Sequence, residues 1–190
     1  VTGEAGHAGT APVSRRRDAV QAAVRMIHAI GEGLHDQEDV TRLTVGRIVV
    51  APNSPNTIAD HVRFTIDLRH PDERELERSL ARIRAICQDQ VGPCEHQIEV
   101  TEHLRPVVFD SSIADSVAAA ARAHGFAARH LVSGASHDTA VLASKYPAGM
   151  IFIPCVRGVS HHPAEDATEE SLVAGADVLA TVIARLASQA

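Results

Sequence analysis

Between positions 61 and 69 the chain alternates strictly, with Val62, Phe64, Ile66 and Leu68 set between His61, Arg63, Thr65, Asp67 and Arg69. Successive strand side chains point to opposite faces, so this segment demands a sheet with one face on a core and the other polar. No other stretch restricts the fold as sharply. A half-buried strand needs both a neighbour and a covering layer, and helical periodicity flanks it on both sides. The covering layer must be aliphatic: Ala fills 31 of the 190 positions, whereas the aromatics are four Phe, one Tyr and no Trp. Such a core suits helices laid closely on a sheet.

Residues 1–10 read as short and extended. Ser14 is placed to cap a helix whose apolar positions Val20, Val24, Ile27 and Leu34 recur at helical spacings and which ends near Gly31 and Gly33. A strand over 43–50 stops at the turn Pro52-Asn53-Ser54-Pro55-Asn56. After the alternating strand, Asp72 and Glu75 at capping-box spacing begin a helix with Leu76, Leu80, Ile83 and Cys87 on one stripe. Residues 95–102 then alternate Ile98 and Val100 with Glu99 and Thr101, as a further strand would. The order β-α-β-β-α-β is the ferredoxin-like arrangement. It is complete by about Leu104, and the expectation is an α+β domain over 1–107.

From 108 to 190 the reading is a partial α/β domain. Ser112 and Asp115 are placed to cap a helix carrying Ile113, Val117 and Ala121 and ending at Gly125, and a short extended piece follows to Val132. Residues 150–154, apolar without alternation, read as a strand buried on both faces. A final helix from about Thr168 carries Leu172, Leu179, Ile183 and Leu186 on one side. These elements cannot by themselves cover both faces of a parallel sheet.

The bulk properties exclude several classes. With 22% charged residues and a net charge of −6, the chain is too mixed for disorder and too acidic for a general nucleic-acid binder. The run Arg15-Arg16-Arg17, without interleaved aromatics, reads as a solvated helix start, so no nucleic-acid partner is expected. No apolar run approaches the roughly 18 residues of a membrane span and no signal-peptide pattern opens the chain. Cys87, Cys94 and Cys155 follow neither disulfide nor zinc spacing, and a cytoplasmic location is the expectation. The chain opens on Val1, so a natural start upstream is expected.

Several residues could carry chemistry. His161 and His162 lie in a Gly/Pro-flanked loop after the expected buried strand, where α/β proteins place their sites. They read either as divalent-metal ligands or as exposed loop histidines, and adjacent side chains diverge too much to share one ion. The run Ser136-His137-Asp138 cannot supply a triad from three consecutive residues. It reads as a turn presenting His137 as a donor, or as helix capping by Ser136. Arg69 could grip a carboxylate through two parallel hydrogen bonds, with the Asn56 amide adding a third, or could pair with Asp67. His7 lies between Gly6 and Gly9 and is uninformative by itself.

Taken together, these segments resemble the carboxyl-terminal half of a metal-dependent amidohydrolase of the M20 peptidase superfamily, in its N-carbamoyl-L-amino-acid hydrolase and allantoate amidohydrolase branch. The matching segments are Gly6-His7-Ala8-Gly9-Thr10 with Arg17-Asp18-Ala19; Val45-Gly46-Arg47-Ile48 with Pro52-Asn53-Ser54-Pro55-Asn56; Phe64-Thr65-Ile66-Asp67-Leu68-Arg69-His70-Pro71; Ser133-Gly134-Ala135 with His137-Asp138; and Gly149-Met150-Ile151-Phe152-Ile153-Pro154 with Ser160-His161. They occur in family order across nearly the whole chain.

The resemblance implies that 1–107 is a lid and dimerisation domain and that 108–190 is the end of a catalytic domain holding two divalent ions (Zn, Mn, Co or Ni). His161 is then a metal ligand, and His7 and His137 are catalytic donors to the oxyanion. Asn56, Arg69 and Gly134 bind a ureido or amido carboxylate substrate. His7 and Asn56 act on the partner subunit of a homodimer. Ser136 stands where the family usually has Gly, and His162 where it often has a small residue. The other metal ligands and the Glu general base have no counterpart in the chain, so the expectation is an inactive fragment with at most a partial metal site. The rivals are an aminoacylase or dipeptidase of the same superfamily, and a non-catalytic dimerisation module.

Overall fold

The computed structural model describes residues 1–188, and the chain divides into two compact units, Val1–Pro106 and Val107–Ala190. In chain order the first contains β1 (Gly6–His7), α1 (Ala19–Gly33), β2 (Arg42–Ala51), β3 (Thr57–Ile58), β4 (His61–Arg69) and α2 (Glu73–Gln90). The alternating segment is β4, paired antiparallel with β2 from Arg42↔Arg69 to Ala51↔His61. A bulge between Thr44 and Arg47 sets Val45 and Gly46 opposite one residue of β4, and the extra residue lets the edge strand bend without losing register at either end.

Helices α1 and α2 cover one face of this hairpin. Ala22, Met26 and Ile30 of α1 meet Ile83 and Cys87 of α2, with Phe64, Ile66 and Leu68 of β4 beneath. Ala19 and Ala23 seat α1 on Val62. The inward face is therefore Ala19, Ala22, Ala23, Met26 and Ile30, rotated from the Val20, Val24, Ile27, Leu34 stripe read from sequence, and Val24 is 55% exposed. Small Ala side chains let the helix sit closely on the sheet, and that contact outweighs the larger but misdirected Val24. The cap also differs: Asp18, rather than Ser14, accepts from the Val20 and Gln21 amides. On α2, Asp72 caps as expected, through the Arg74 amide.

The expected strand over 95–102 does not form as a strand. Only single antiparallel bridges remain, Thr2↔His61 and Thr2↔Glu95, so residue 2 lies between β4 and residue 95. Ile98 still packs on the core, while Val100 and Leu104 are exposed. Sequence alternation gives such a segment its two faces, but a ladder also needs a neighbour long enough to pair with.

The second unit contains α3 (Ser111–Ala123), α4 (Asp138–Leu142) and α5 (Glu169–Ala187). Helix α3 is capped by Asp110, which accepts from the Ser112 and Ile113 amides, rather than by Ser112 or Asp115. It ends at Gly125, whose φ of 79° suits glycine. Its Ala120 and Ala121 pack on Val178 and Val182 of α5. Helix α5 starts where expected, with Thr168 as its cap, but the Leu172, Leu179, Ile183, Leu186 side faces solvent, Ile183 at 57%. Residues 150–154 form no strand among the described residues, and Phe152 is exposed while Ile151 and Ile153 are half-buried. A strand buried on both faces needs flanking strands and two helical layers, which these residues do not supply. No described helix is long and apolar enough to cross a membrane.

Candidate functional site

In the first unit, backbone pairing brings His7 to the Asn56 turn. Strand β1 pairs antiparallel with β3, His7 opposite Thr57, and the Ala8 amide donates to the Asn56 carbonyl at 2.9 Å. The turn begins at a cis Ala51–Pro52 peptide and passes through Asn53 at φ 58°. At its end the Ser54 and Thr57 hydroxyls donate to Asn56 Oδ1 at 2.9 and 3.3 Å. With its oxygen occupied twice, the Asn56 carboxamide has its N–H donors for a ligand. An open depression of about 400 Å³ adjoins the turn, lined by Val20, Val50, Pro55 and Ile58 among others.

The approach of the first residues to this region depends on Gly3. A Cβ there would sit 1.9 Å from the Arg17 carbonyl oxygen, the acceptor of the Glu4 amide at 2.8 Å. Arg17 in turn donates to the Pro93 carbonyl and pairs with Glu95 at 3.0 Å.

Arg69 lies at the far end of the hairpin. Register places it opposite Arg42, whereas His61 and Ala51 mark the end that leads to β3. From Thr2↔His61 through Gly6↔Ile58 to His7↔Thr57, the pairing runs away from Arg69. The nine residues of β4 span roughly 26 Å at about 3.3 Å per step. Asn56 and His7 are thus not brought together with Arg69 in one chain. The Arg69 guanidinium also holds Asp67 through both carboxylate oxygens, Nε–Oδ1 at 2.7 Å and Nη2–Oδ2 at 2.8 Å. That hydrogen-bonded grip holds the Asp67 carboxyl below its ordinary range and raises the guanidinium. A ligand carboxylate must compete with Asp67 for it.

In the second unit, Gly134 and His137 precede α4. His137 occupies the N-cap position with an extended φ of −143° and its side chain makes no cap bond; Ser136 does not cap either. Instead Ser133 Oγ closes a small turn, accepting from the Ala135 amide at 3.2 Å. A Cβ at Gly134 would meet nothing within 4 Å, so no packing demands glycine there.

His161 is held by a residue the sequence reading missed. Its backbone is left-handed, φ 54°, and its amide donates to Glu165 Oε2 at 2.8 Å while Ser160 Oγ donates to Oε1 at 3.4 Å. Glu165 thereby stabilises a backbone conformation that a non-glycine residue adopts reluctantly. The signal was present in sequence as a carboxylate four residues after the histidine. His162 turns elsewhere, its Nδ1 accepting from the Ala164 amide at 3.1 Å. Among the described residues no group of three or more His, Cys, Asp or Glu could hold a metal ion. Both Glu165 oxygens are engaged by these backbone and hydroxyl donors.

The model of peptidase family M20/M25/M40 matches residues 2–185. The N-carbamoyl-L-amino-acid amidohydrolase of Rhizobium meliloti is 37% identical over 183 residues, covering 94% of this chain and 44% of the relative. The allantoate amidohydrolase of Bacillus subtilis is 35% identical, covering 97% of this chain and 45% of the relative. Among solved structures, an amidase of the hydantoinase/carbamoylase family from Burkholderia vietnamiensis superposes with a TM-score of 0.89 at 38% identity, over 95% of this chain and 44% of that one. The chain therefore spans less than half the length of the relatives it matches.

Proposed function

Because this chain belongs to peptidase family M20/M25/M40, we propose that it is the lid and the end of the catalytic domain of an amidohydrolase. The enzyme would cleave a linear C–N bond of an N-carbamoyl-L-amino acid or allantoate-type substrate. The observation that carries this reading is the placement of His7 beside the Asn56 turn, in a chain whose relatives are amidohydrolases of ureido compounds.

In this reading each residue acts on one part of the substrate. Asn56 and Arg69 bind the carboxylate, in ground and transition state alike, and Gly134 is a further substrate-binding residue. His7 and His137 donate to the oxyanion as the carbonyl is attacked, a contact worth about 3–4 kcal/mol per donor. Enzymes of this family generally use divalent metal ions. We assign His161 as one ligand of a pair of Zn, Mn, Co or Ni ions, with the other ligands and the general base outside these 190 residues.

The separation along β4 adds a further element. A ureido acid is far shorter than the strand, so one substrate molecule meets His7 and Asn56 from one copy and Arg69 from another. In this reading unit 1 is also the dimerisation domain. Its surface is β2, ten residues long and paired only with β4 among the described residues, with Ile48 and Val49 exposed. An unpaired edge of that length is a template for pairing with a second copy.

The test is a chimera that joins this chain to the upstream half of the Rhizobium meliloti relative. Ammonia release from N-carbamoyl-L-amino acids or allantoate supports the reading; release of an acyl acid alone supports an aminoacylase or dipeptidase. The 190-residue chain by itself should be inactive and bind no metal stoichiometrically. Two metal ions per isolated chain, by elemental analysis, would overturn the assignment of the other ligands to a different segment.

A further inference from the structure

The His7 ring is held at Nδ1 and not at its tip: the Gly9 amide donates to Nδ1 at 3.0 Å. A backbone N–H can only donate, so the atom facing it must carry a lone pair. Turning the ring over would set a C–H against that amide. In the neutral imidazole the proton therefore resides on Nε2, and Nε2–H is the group presented outward. The bond closes across two residues in a tight space: a Cβ at position 9 would lie 3.3 Å from His7 Cε1 and 3.5 Å from Nδ1.

The turn that makes this geometry is itself clamped. The Thr10 and Ala11 amides donate to the His7 carbonyl at 3.3 and 3.1 Å. Arg16 Nη2 donates to the Ala8 carbonyl at 2.7 Å and to the Ala11 carbonyl at 2.9 Å, and Arg16 Nε to the Ala11 carbonyl at 3.0 Å. All of the guanidinium's observed bonds go to this turn. A planar fork can span two carbonyls at once, which a lysine ammonium on a flexible stem does not reproduce.

We propose that Gly9 and Arg16 are positioning residues for His7: the Gly9 amide selects the Nε2–H tautomer and Arg16 fixes the turn that delivers it. His7 then presents its N–H donor at Nε2. Its chemical meaning rests on the reading of His7 as an oxyanion donor, but the tautomer and the clamp are properties of this chain.

The test uses the 190-residue chain labelled with 15N, its His7 ring nitrogens read by long-range proton–nitrogen correlation above the imidazole titration. The expected result is a pyridine-type Nδ1, a pyrrole-type Nε2 and a Gly9 amide protected from exchange. Gly9→Pro, which removes the donor, should let the Nδ1–H tautomer appear. Arg16→Gln should accelerate Gly9 exchange at least tenfold while the helical signal is retained; if that variant does not fold, Arg16→Lys, which keeps the charge, is read the same way. An Nδ1–H tautomer in the parent chain, or Gly9 exchange unchanged in both Arg16 variants, overturns the proposal. The functional reading fails separately: a His7→Gln chimera with undiminished kcat removes the oxyanion role, while the tautomer measured in the parent chain still decides the positioning role.

Discussion

Replacing Met26 with Ala separates the two possible inward faces of α1 by energy. Met26 is 1% exposed and packs with Ala22, Ile30, Ile83 and Cys87. The truncation removes three heavy atoms, about 2.4 kcal/mol at ~0.8 kcal/mol per buried methylene equivalent. A residual cavity on the order of 50 Å³ adds about 1.2 kcal/mol at ~24 cal/mol per Å³. The rotamer entropy that Met no longer loses on folding returns part of this, leaving a destabilisation of about 3 kcal/mol. In a unit of this size that lowers Tm by roughly 15 °C. Val24→Ala on the same helix is the counterpart. Val24 is 55% exposed, and Ala is the better helix former, so the expected change is within about 0.5 kcal/mol of zero. Urea unfolding followed by circular dichroism at 222 nm, with hydrogen exchange of the α1 amides to isolate this unit, measures both. Tyr146, the only Tyr, lies in the other unit and cannot report on α1. A Val24→Ala cost above about 1 kcal/mol together with a Met26→Ala cost below it would refute the assigned face.

The other expectations concern the N-terminal approach, the Asp36 loop and the two ends of the proposed substrate site. Gly3→Ala drives a Cβ into the Arg17 carbonyl and should cost about 2 kcal/mol or more, read from the urea midpoint. Asp36 accepts from the Thr41, Glu38 and Val40 amides, which hold its carboxyl down to about 2. Because the folded value lies below the unfolded one, this loop's stabilisation is complete above the unfolded value and is lost as pH falls toward 2. Amide exchange at residues 38–41 should therefore rise between about pH 4 and 2 relative to an Asp36→Asn chain, and a pH-independent difference would contradict it. In the chimera, Arg69→Ala should raise KM for carboxylate substrates strongly with kcat nearly kept, whereas Asp67→Ala, by removing the competing carboxylate, should lower KM a few-fold. An unchanged KM in Arg69→Ala would remove Arg69 from the site. On α5, Val182→Ala should cost about 1–2 kcal/mol and Ile183→Ser less than about 0.5 kcal/mol by thermal unfolding, since Val182 is 4% and Ile183 57% exposed.

Much of the fold was legible because it is local. Strict alternation over β4, the Asp72 cap of α2 and the start of α5 near Thr168 each depend on residues a few positions apart, and they stand where the sequence puts them. The family was legible from its motif segments as a set, through their order and spacing. Glu165 was not singled out, because a carboxylate near a histidine on an exposed loop has many uses until the His161 amide is seen pointing at it. Gly9 entered only as a flank of His7, and Arg16 was read as part of a solvated helix start, whereas it precedes α1 and holds the Ala8 and Ala11 carbonyls; a glycine and an arginine in a polar segment say nothing of a ring nitrogen or of two carbonyls until the turn is closed.

By itself the sequence determined the long helices and the β2 and β4 strands, and which side chains carry functional groups, since hydrophobic period and side-chain type are properties of short stretches of chain. Only tertiary structure decided which helix face lies inward, because α1 is amphipathic enough to offer two faces and the shape of the hairpin selects the one lined by Ala. Tertiary structure also decided that residues 95–102 stay unladdered and that 150–154 form no strand, since a ladder depends on partners and not on propensity. It placed His7 beside Asn56 through β1–β3 pairing, and it set Arg69 a strand's length away, bound to Asp67. Proximity among these residues depends on strand register, which links positions some fifty apart in sequence, as Gly6 and Ile58 are, and no local pattern encodes it.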